Sequence, residues 1–230
     1  MINRLTWDST FFEIEIGELI FQEHITYKNA DLFDLLYIKS NNDFDISINN
    51  FDKTFSETKV VFSKTLNLLD ASKSNIFSAD KISYKIEEIY ELSYESGKFS
   101  RFILDHNFKI EKFKELYKKW VDNSISKIFA DDLFVYQEEN KTIGFVTFKV
   151  KNEIATIGLI AVSPNHQGKG IGSKLLNFLE NYLFESKIST LLIPTQKSNL
   201  AACNFYKKQG YSINDTTFIK HYWKKNDPIQ

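Results

Sequence analysis

Residues 163–176 read SPNHQGKGIGSKLL and place three of the chain's eight glycines within five positions. The preceding segment, EIATIGLIAV at residues 153–162, is typical of a buried strand, and residues 170–186 repeat apolar side chains at helical spacing. A glycine loop between a strand and a helix N-terminus presents backbone N–H groups without β-carbons, and this arrangement favours a bound phosphate group. The stretch therefore predicts a pyrophosphate-binding loop.

Two common phosphate loops do not fit this stretch. A Walker loop requires G-x-x-x-x-G-K-[ST], whereas here Lys169 lies between glycines and Gly172 is followed by Ser173 and Lys174 in the wrong order. A dinucleotide fingerprint requires a parallel βαβ unit with an acidic residue after the next strand, and STLLIPTQ at residues 189–196 contains no acid. Nucleotide hydrolysis and a nicotinamide cofactor are therefore both disfavoured.

The elements around the loop predict an α/β protein. Short apolar segments with polar turns between them predict an antiparallel meander of strands at residues 133–137, 142–150 and 153–162. The remaining predictions for this half are helices at 87–96, 109–129 and 199–210, a buried strand at 189–196, and either two terminal strands or one bent strand at 211–223.

The N-terminal third predicts a smaller α/β unit. Alternation favours strands at residues 13–21 and 58–66, while Leu32, Leu35, Leu36 and Lys39 favour a helix at 29–40. The polar segment 67–81 is typical of a linker. We therefore predict an N-terminal domain at 1–75 and a second domain at 76–230.

Composition excludes several classes of function. The chain has 29 basic and 30 acidic residues, so it lacks the charge expected for binding nucleic acid or an anionic membrane. The single cysteine, Cys203, excludes an internal disulfide and a thiolate zinc cluster, and the four scattered histidines favour no metal site. The acidic residues within MINRLTWDSTFFEIEIG argue against a signal peptide, which leaves the cytoplasm as the expected location.

Two segments resemble the GNAT superfamily of acyl-CoA N-acyltransferases. The family pattern [RQ]-x-x-G-x-[GA] is matched by Gln167, Gly170 and Gly172. Downstream, NLAACNFYKKQGY is similar to the family stretch N-x-x-A-x-x-[FL]-Y-x-x-x-G-[FY], whose matched positions are Asn199, Ala202, Phe205, Tyr206, Gly210 and Tyr211. The resemblance covers roughly residues 80–223, and it implies a mixed, mainly antiparallel sheet flanked by helices.

A narrower similarity extends to both ends of the chain. The segments LTWDSTFF, YKKWVDNSI, IGLIAV and TQKSNLAA resemble the bacterial dTDP-fucosamine (dTDP-4-amino-4,6-dideoxygalactose) acetyltransferases. This resemblance implies acyl transfer to the amine of a dTDP-linked amino-6-deoxyhexose used for surface polysaccharide. It also implies a small domain before the GNAT domain, and homodimers are common in the superfamily.

The superfamily resemblance assigns roles to individual residues. It implies that N–H groups near Ile160 form an oxyanion hole, that Asn199 hydrogen-bonds the pantetheine arm, and that Tyr206 is the general acid that protonates the leaving thiolate. The residues implied to bind acetyl-CoA or another acyl-CoA are Ile160, Ala161, Val162, Gln167, Gly168, Lys169, Gly170, Ile171, Gly172, Ser173, Asn199, Ala202 and Phe205.

The acceptor side is less defined by the sequence. Arg101, one of only two arginines, is a candidate for binding the nucleotide diphosphate. Trp7 and Phe11 are either core residues or a wall of the substrate site. The general base is not identified; the groups available for this role are His106, Glu153 and His221. Two alternatives stay open: an acetyltransferase for another small-molecule or protein amine, and a non-catalytic acyl-CoA-binding module.

Overall fold

Ten strands form one mixed sheet in the computed structural model, which describes residues 1–23, 27–67 and 75–225. The strands are β1 (Asn3–Arg4), β2 (Ile16–Ile20), β3 (Leu35–Ser40), β4 (Phe51–Thr65), β5 (Ile76–Ser78), β6 (Asp132–Glu138), β7 (Lys141–Lys151), β8 (Ile154–Val162), β9 (Thr190–Gln196) and β10 (Ser212–Lys224). Their order across the sheet is β1-β2-β3-β10-β4-β9-β8-β7-β6-β5. The pairs β2–β3 and β8–β9 are parallel and the other neighbouring pairs are antiparallel, which confirms the predicted sheet type.

Helices cover both faces of this sheet. They are α1 (Thr6–Phe12), α2 (Ile86–Ser96), α3 (Arg101–Leu104), α4 (Ile110–Ile125), α5 (Ile171–Glu185) and α6 (Leu200–Lys208). One core cluster joins α5 and α6 to the sheet, and a second joins α1, α2, α3 and α4 to the opposite face. A third, smaller cluster lies around β3 and its neighbours. We call the two main surfaces the α5/α6 face and the α2/α4 face.

The predicted helix at residues 29–40 is wrong. A short 3-10 turn at Ala30–Leu32 is followed by strand β3, in which Leu35 and Ile38 are fully buried. This strand lies between β2 and β10 and is covered on both faces, so its apolar residues run consecutively instead of alternating. A short continuous apolar run has no period that separates a strand from a buried helix.

The sheet continues across the boundary predicted at residue 75. Strand β4 pairs with β9, and the C-terminal strand β10 lies between β3 and β4. The N-terminal segment therefore has no separate sheet, and a division into two folding units stays a prediction. Within the predicted linker, β5 pairs with β6, whereas residues 68–74 lie outside the described residues.

The last segment of the chain forms one bent strand. β10 runs from Ser212 to Lys224 with irregular register against β4 at Ile213/Asp215 and at His221/Tyr222. This outcome selects the bent-strand alternative. The turn before it contains Gly210 at a φ of 85°, as predicted for a glycine after a helix C-terminus.

Candidate active site

Strands β8 and β9 separate after a short parallel contact. They pair at Ile154–Thr190, Ala155–Leu191 and Thr156–Leu192, and no further pair joins them in the described chain. The second half of each strand therefore diverges from its neighbour. This separation opens a gap in the middle of an otherwise continuous sheet.

A bulge in β8 lies beside this gap. Phe148 of β7 pairs with Ile157 and Val146 pairs with Ile160, so β8 has one extra residue between these positions. Gly158 occupies the bulge, where a β-carbon would lie 2.9 Å from Thr147 Oγ1. The backbone N–H of Leu159 donates to the same oxygen at 2.9 Å. Thr147 thus holds the bulge, and it requires glycine at position 158.

The glycine loop is open above its backbone. Gly168 and Gly170 have φ values of 77° and 79°, and a β-carbon on either would meet no described atom within 4 Å. Gly170 is also the N-cap of α5 and provides no side-chain cap for the first-turn N–H groups. Gln167 Nε2 donates to the Val162 carbonyl at 3.0 Å, which ties the loop to the end of β8. The loop therefore has the open space and free donors that a phosphate group needs.

Gly172 has a different role from the two loop glycines. A β-carbon there would lie 3.2 Å from the ring of Phe205 on α6. The third glycine therefore permits close packing of α5 against α6. It does not provide the open space above the loop.

One cavity of about 850 Å³ connects the loop to the opposite face of the sheet. Its walls include Tyr206 of α6, on the α5/α6 face, and Tyr117 of α4, on the α2/α4 face. Of the residues that the sequence assigned to acyl-CoA, those lining the cavity are Ile160, Ala161, Val162, Gln167, Gly168, Gly170, Ile171, Gly172, Ser173, Asn199, Ala202 and Phe205. Lys169 is exposed and is not part of the lining. The cavity thus passes through the gap between β8 and β9.

Tyr206 is a buried wall of the cavity. Its side chain is 5% exposed, and its ring lies 5.5 Å from that of Phe62 on β4. Burial raises the pKa of Tyr206 above the ordinary value, so the phenol stays protonated at neutral pH. This state is the one that a general acid needs. The catalytic role itself stays a prediction.

Asn199 is the N-cap of α6. Its Oδ1 accepts a hydrogen bond from the Ala202 N–H at 3.1 Å, which explains the N-x-x-A spacing in local structural terms. Asn199 also lines the cavity, seven residues before Tyr206. Both residues therefore lie where the sequence placed them, and the pantetheine contact of Asn199 stays a prediction.

The floor of the cavity on the α2/α4 face is formed by three strands. One row across β3, β10 and β4 contains Lys39, Ile219 and Glu57, and the next row contains Tyr37, His221 and Phe55. Directly paired residues of antiparallel strands point to the same face. We call the region of the first row, together with Lys59 and Arg101, the acceptor end of the cavity.

Arg101 covers this floor from helix α3. Its guanidinium carbon lies 4.3 Å from the centre of the Tyr37 ring, a distance typical of a cation–π contact. Lys39 pairs with Glu18, and burial lowers the pKa of Lys59, with Lys39 and Arg101 adding to the effect. Arg101, Lys59 and Lys39 all act electrostatically on one carboxylate at the acceptor end, Glu57, and of these three Lys39 is also paired with Glu18. This arrangement favours an acceptor that carries negative charge.

Glu57 is a residue that the sequence analysis missed. It lines the cavity, and its Oε2 atom is buried with no hydrogen-bond partner in the described chain. Burial raises the pKa of Glu57, although Arg101, Lys59 and Lys39 act in the opposite direction. The available signal was the alternation in FSETKVV, which places Glu57 on the same face as Phe55 and Lys59.

None of the three groups considered as a base lines the cavity. His106 is exposed, and Glu153 is exposed in the turn between β7 and β8. His221 lies in the second row of the floor, where it is fully buried and its Nδ1 atom lies 2.6 Å from Asp105 Oδ2. Trp223 Nε1 donates to the same carboxylate oxygen at 2.9 Å.

The His221–Asp105 pair has a defined protonation state. Burial is the largest influence on His221 and lowers its pKa to about 4, so its imidazole is neutral at pH 7. Burial also opposes ionisation of Asp105, but hydrogen bonds from His221 and Trp223 outweigh this effect and hold its pKa below the ordinary value. A neutral histidine therefore donates to an ionised aspartate beneath the acceptor end.

Trp7 and Phe11 are placed away from the cavity. They line a separate groove of about 210 Å³ with Lys112 and Glu115. Phe11 is 8% exposed and packs into the core on the α2/α4 face, while Trp7 stacks on it with 5.1 Å between ring centres. Helix α1 therefore turns Phe11 towards the core, and neither residue is a wall of the main cavity.

Comparisons with known proteins agree with this geometry. The sequence model of the Acetyltransferase (GNAT) family matches residues 85–211, which is more than half of the chain. The chain therefore belongs to the acetyltransferase (GNAT) family.

Individual proteins with similar sequences have names that describe different activities. The spore coat polysaccharide biosynthesis protein SpsD of Bacillus subtilis is 26% identical over 137 residues, which are 60% of this chain and 47% of SpsD. This chain thus spans about half the length of SpsD. Streptothricin acetyltransferase A of Bacillus subtilis is 29% identical over 125 residues, covering 51% of this chain and 72% of that protein.

Solved structures show the same fold at low sequence identity. A conserved protein of unknown function from Staphylococcus epidermidis aligns with a TM-score of 0.64 at 13% identity, covering 93% of this chain and 85% of that one. A GCN5-related N-acetyltransferase from Sphaerobacter thermophilus aligns with a TM-score of 0.52 at 12% identity, covering 84% and 62%. The first of these alignments extends the fold likeness beyond the family match to nearly the whole chain.

No helix in residues 1–23, 27–67 and 75–225 is both long and apolar enough to cross a membrane. Within the same residues, no group of three or more His, Cys, Asp or Glu side chains could hold a metal ion. Cys203 is buried with a free thiol.

Proposed function

We propose that this protein transfers an acyl group from acyl-CoA to the amine of a dTDP-linked amino-6-deoxyhexose, with the amine at C3 or C4. The observation that carries the proposal is the cavity of about 850 Å³ that joins an open glycine loop to a positively charged acceptor end. The similarity to a protein named for polysaccharide biosynthesis supports a role in making sugars for surface polysaccharide. The substrates are small molecules, and cytoplasmic location and a homodimer stay predictions.

The glycine loop would hold the acyl-CoA. Its pyrophosphate fits the open space above Gly168 and Gly170, where first-turn N–H groups of α5 donate and the helix dipole adds partial positive charge. The pantetheine arm would enter the gap between β8 and β9 and pair with the free backbone of β8. The thioester would then lie between the two faces of the sheet.

The transfer needs proton transfers at two places, a deprotonation of the acceptor amine and a protonation of the departing thiolate. The amine nitrogen attacks the thioester carbon and forms a tetrahedral oxyanion, whose collapse breaks the C–S bond. Tyr206 protonates the departing thiolate, for which its raised pKa keeps the proton available. An amine of pKa roughly 8 is mostly protonated at pH 7, so it must lose a proton before attack.

The cations at the acceptor end support a nucleotide diphosphate. Arg101 and Lys59 lie beside Glu57 on the cavity wall, and both offer charge-assisted hydrogen bonds to phosphate oxygens. One such bond contributes about 1.5–3 kcal/mol. Two bonds therefore predict that the free amino sugar, which lacks the diphosphate, is at least about 100-fold poorer in kcat/KM than its dTDP-linked form.

Thiol release from acetyl-CoA tests this function directly. The panel contains dTDP-3-amino and dTDP-4-amino-6-deoxyhexoses, the same sugars without dTDP, streptothricin, a polyamine and a peptide with an N-terminal alanine. Turnover confined to one dTDP-linked sugar is the expected result. Equal turnover of the free sugar, or turnover of the other amines alone, would refute the nucleotide-sugar assignment. An enzyme that binds acyl-CoA and transfers it to no amine would support the binding-module alternative.

A further inference from the structure

Three buried polar atoms lack partners at and below the acceptor end. Within the described residues, Glu57 Oε2, Tyr37 Oη and His221 Nε2 make no hydrogen bond. Buried polar atoms normally have a partner, and each unsatisfied one is costly. Tyr37 and His221 lie in one row of the floor and Glu57 lies in the next row. Of these three residues only Glu57 lines the cavity, so its oxygen is the one that a polar ligand in the cavity can reach.

Glu57 occupies a specific place among these atoms. The last pair between β4 and β9 is Lys59–Gln196, so Glu57 lies two residues beyond the point where β4 loses its β9 partner. It shares its side of the sheet with Lys59 and borders the same cavity as Tyr206. The carboxylate therefore lies on the cavity wall, just beyond the end of the β4–β9 pairing.

One other carboxylate, that of Glu95, borders the cavity within the described residues. Glu95 pairs with Lys98 and accepts a hydrogen bond from Gln167 Nε2 at 3.4 Å, so it lies beside the glycine loop. Its charge is already compensated by these contacts. Glu57 differs from Glu95 in position and in hydrogen bonding, because it lies at the acceptor end and its Oε2 atom has no hydrogen-bond partner in the described chain.

We propose that Glu57 binds the ammonium group of the acceptor and acts as the general base that removes its proton. This inference rests on the proposed N-acyl transfer, but it does not depend on which amine is the acceptor. The Oε2 atom of Glu57 has no hydrogen-bond partner in the described chain, so it is available to accept a hydrogen bond and then a proton from the ammonium group. Burial favours the protonated carboxyl, although the three nearby cations act against this effect.

The proton balance of the reaction is complete with Glu57 and Tyr206. The acceptor enters as R–NH3⁺, and Glu57 takes one proton and later releases it to solvent. The free amine attacks, the C–N bond forms, and the C–S bond breaks as Tyr206 gives its phenolic proton to the thiolate. The nitrogen loses its second proton, which restores Tyr206. The net products are the amide, CoA thiol and one proton.

The surroundings of Glu57 set its pH dependence. The charged and titratable groups that face it are Arg101 from α3, Lys59 from its own strand, Lys39 from β3 and Tyr117 from α4, while β10 contributes the apolar Ile219. Burial disfavours the carboxylate and the three cations favour it, with burial the larger influence. Glu57 therefore ionises above the ordinary range for a glutamate, which suits a base that works near neutral pH.

The test replaces Glu57 by Gln and follows the pH dependence of acyl transfer. In the wild type, log kcat/KM rises with pH and levels off once Glu57 is ionised. In Glu57→Gln we expect a loss of about 100-fold or more at pH 7 and a rate that keeps rising up to the pKa of the amine, roughly 8. Glu57→Asp, which keeps the carboxylate on a shorter side chain, is expected to recover part of the rate.

Controls separate catalysis from folding and from the proposed function. Asp52→Asn removes an exposed carboxylate from the same strand and is expected to leave the rate and its pH profile unchanged. Acyl-CoA affinity and melting temperature of Glu57→Gln report whether the site stays folded. A rate within threefold of wild type, or an unchanged pH profile in a folded Glu57→Gln protein, would overturn the inference. Failure of the wild type to acylate any amine would instead overturn the proposed function.

Discussion

The substitution Gly170→Ala separates two properties of the glycine loop, its backbone strain and its ligand space. At a φ of 79°, alanine costs roughly 1–2 kcal/mol relative to an ordinary backbone conformation. For a chain of this size, each kcal/mol lowers the melting temperature by about 2–4 °C. The expected loss is therefore about 2–8 °C, with no added cost from clashes because no described atom lies within 4 Å of the new methyl group.

Gly170→Ala should weaken acyl-CoA binding more than it lowers the stability of the fold. The new methyl group would occupy the space above the backbone, where a phosphate oxygen would otherwise accept from an N–H group of α5. Loss of one hydrogen bond to a charged group removes about 1.5–3 kcal/mol, which corresponds to a Kd about 10-fold to 150-fold higher. Titration calorimetry with CoA measures this change.

Gly210→Ala is the matched control for this experiment. Gly210 has a φ of 85°, so alanine there carries similar backbone strain, but the residue is not part of the cavity lining. Its melting temperature should fall by a similar amount while its CoA Kd stays within twofold of wild type. If both variants lose CoA affinity equally, or if Gly170→Ala binds CoA normally, the assignment of the loop to the pyrophosphate is refuted.

Two further changes probe Tyr206 and His221. Tyr206→Phe should lower kcat by about 100-fold or more and leave the acyl-CoA Kd unchanged, because the ring still packs on Phe62 and only the proton donor is lost; an unchanged kcat would remove Tyr206 from the mechanism. In the unfolded chain His221 binds a proton below pH 6.5, whereas in the folded protein it does so only below about pH 4. The free energy of unfolding should therefore fall as pH drops through this window, by about 1.4 kcal/mol per pH unit. Urea unfolding of His221→Asn, which keeps a donor to Asp105, should show a shallower fall between these pH values, and an identical slope would contradict the buried neutral state.

Most of the residues expected to bind acyl-CoA could be located from sequence, because the patterns that indicate them lie within short segments of the chain. The glycine loop, the N-cap at Asn199 and the position of Tyr206 two turns later all depend on residues within one strand–loop–helix segment. Main-chain geometry fixes such segments with little influence from the rest of the fold. The meander of β6, β7 and β8 was predictable for the same reason, since short turns join its strands.

The acceptor end was hidden because it is built from distant parts of the chain. Lys39, Glu57 and Ile219 become neighbours only through the register of β3, β4 and β10, which no local pattern specifies. The fully buried strand β3 even has the composition of a buried helix. Conversely, Trp7 and Phe11 looked suitable for a substrate wall by residue type, and the turn of α1 places them elsewhere.

The central position of β10 has a consequence for how the protein is made on the ribosome. β10 is the last strand in the described chain, yet it alone connects β1, β2 and β3 to the rest of the sheet. At about 5–20 residues per second, β3 waits about 10–30 s for its partner, whereas β4 to β9 can pair earlier. The glycine loop, α5 and α6 are thus synthesised before the acceptor floor can close. During this interval the buried side chains of β3 have no strand on one side, and this nascent edge is where we expect chaperones to act.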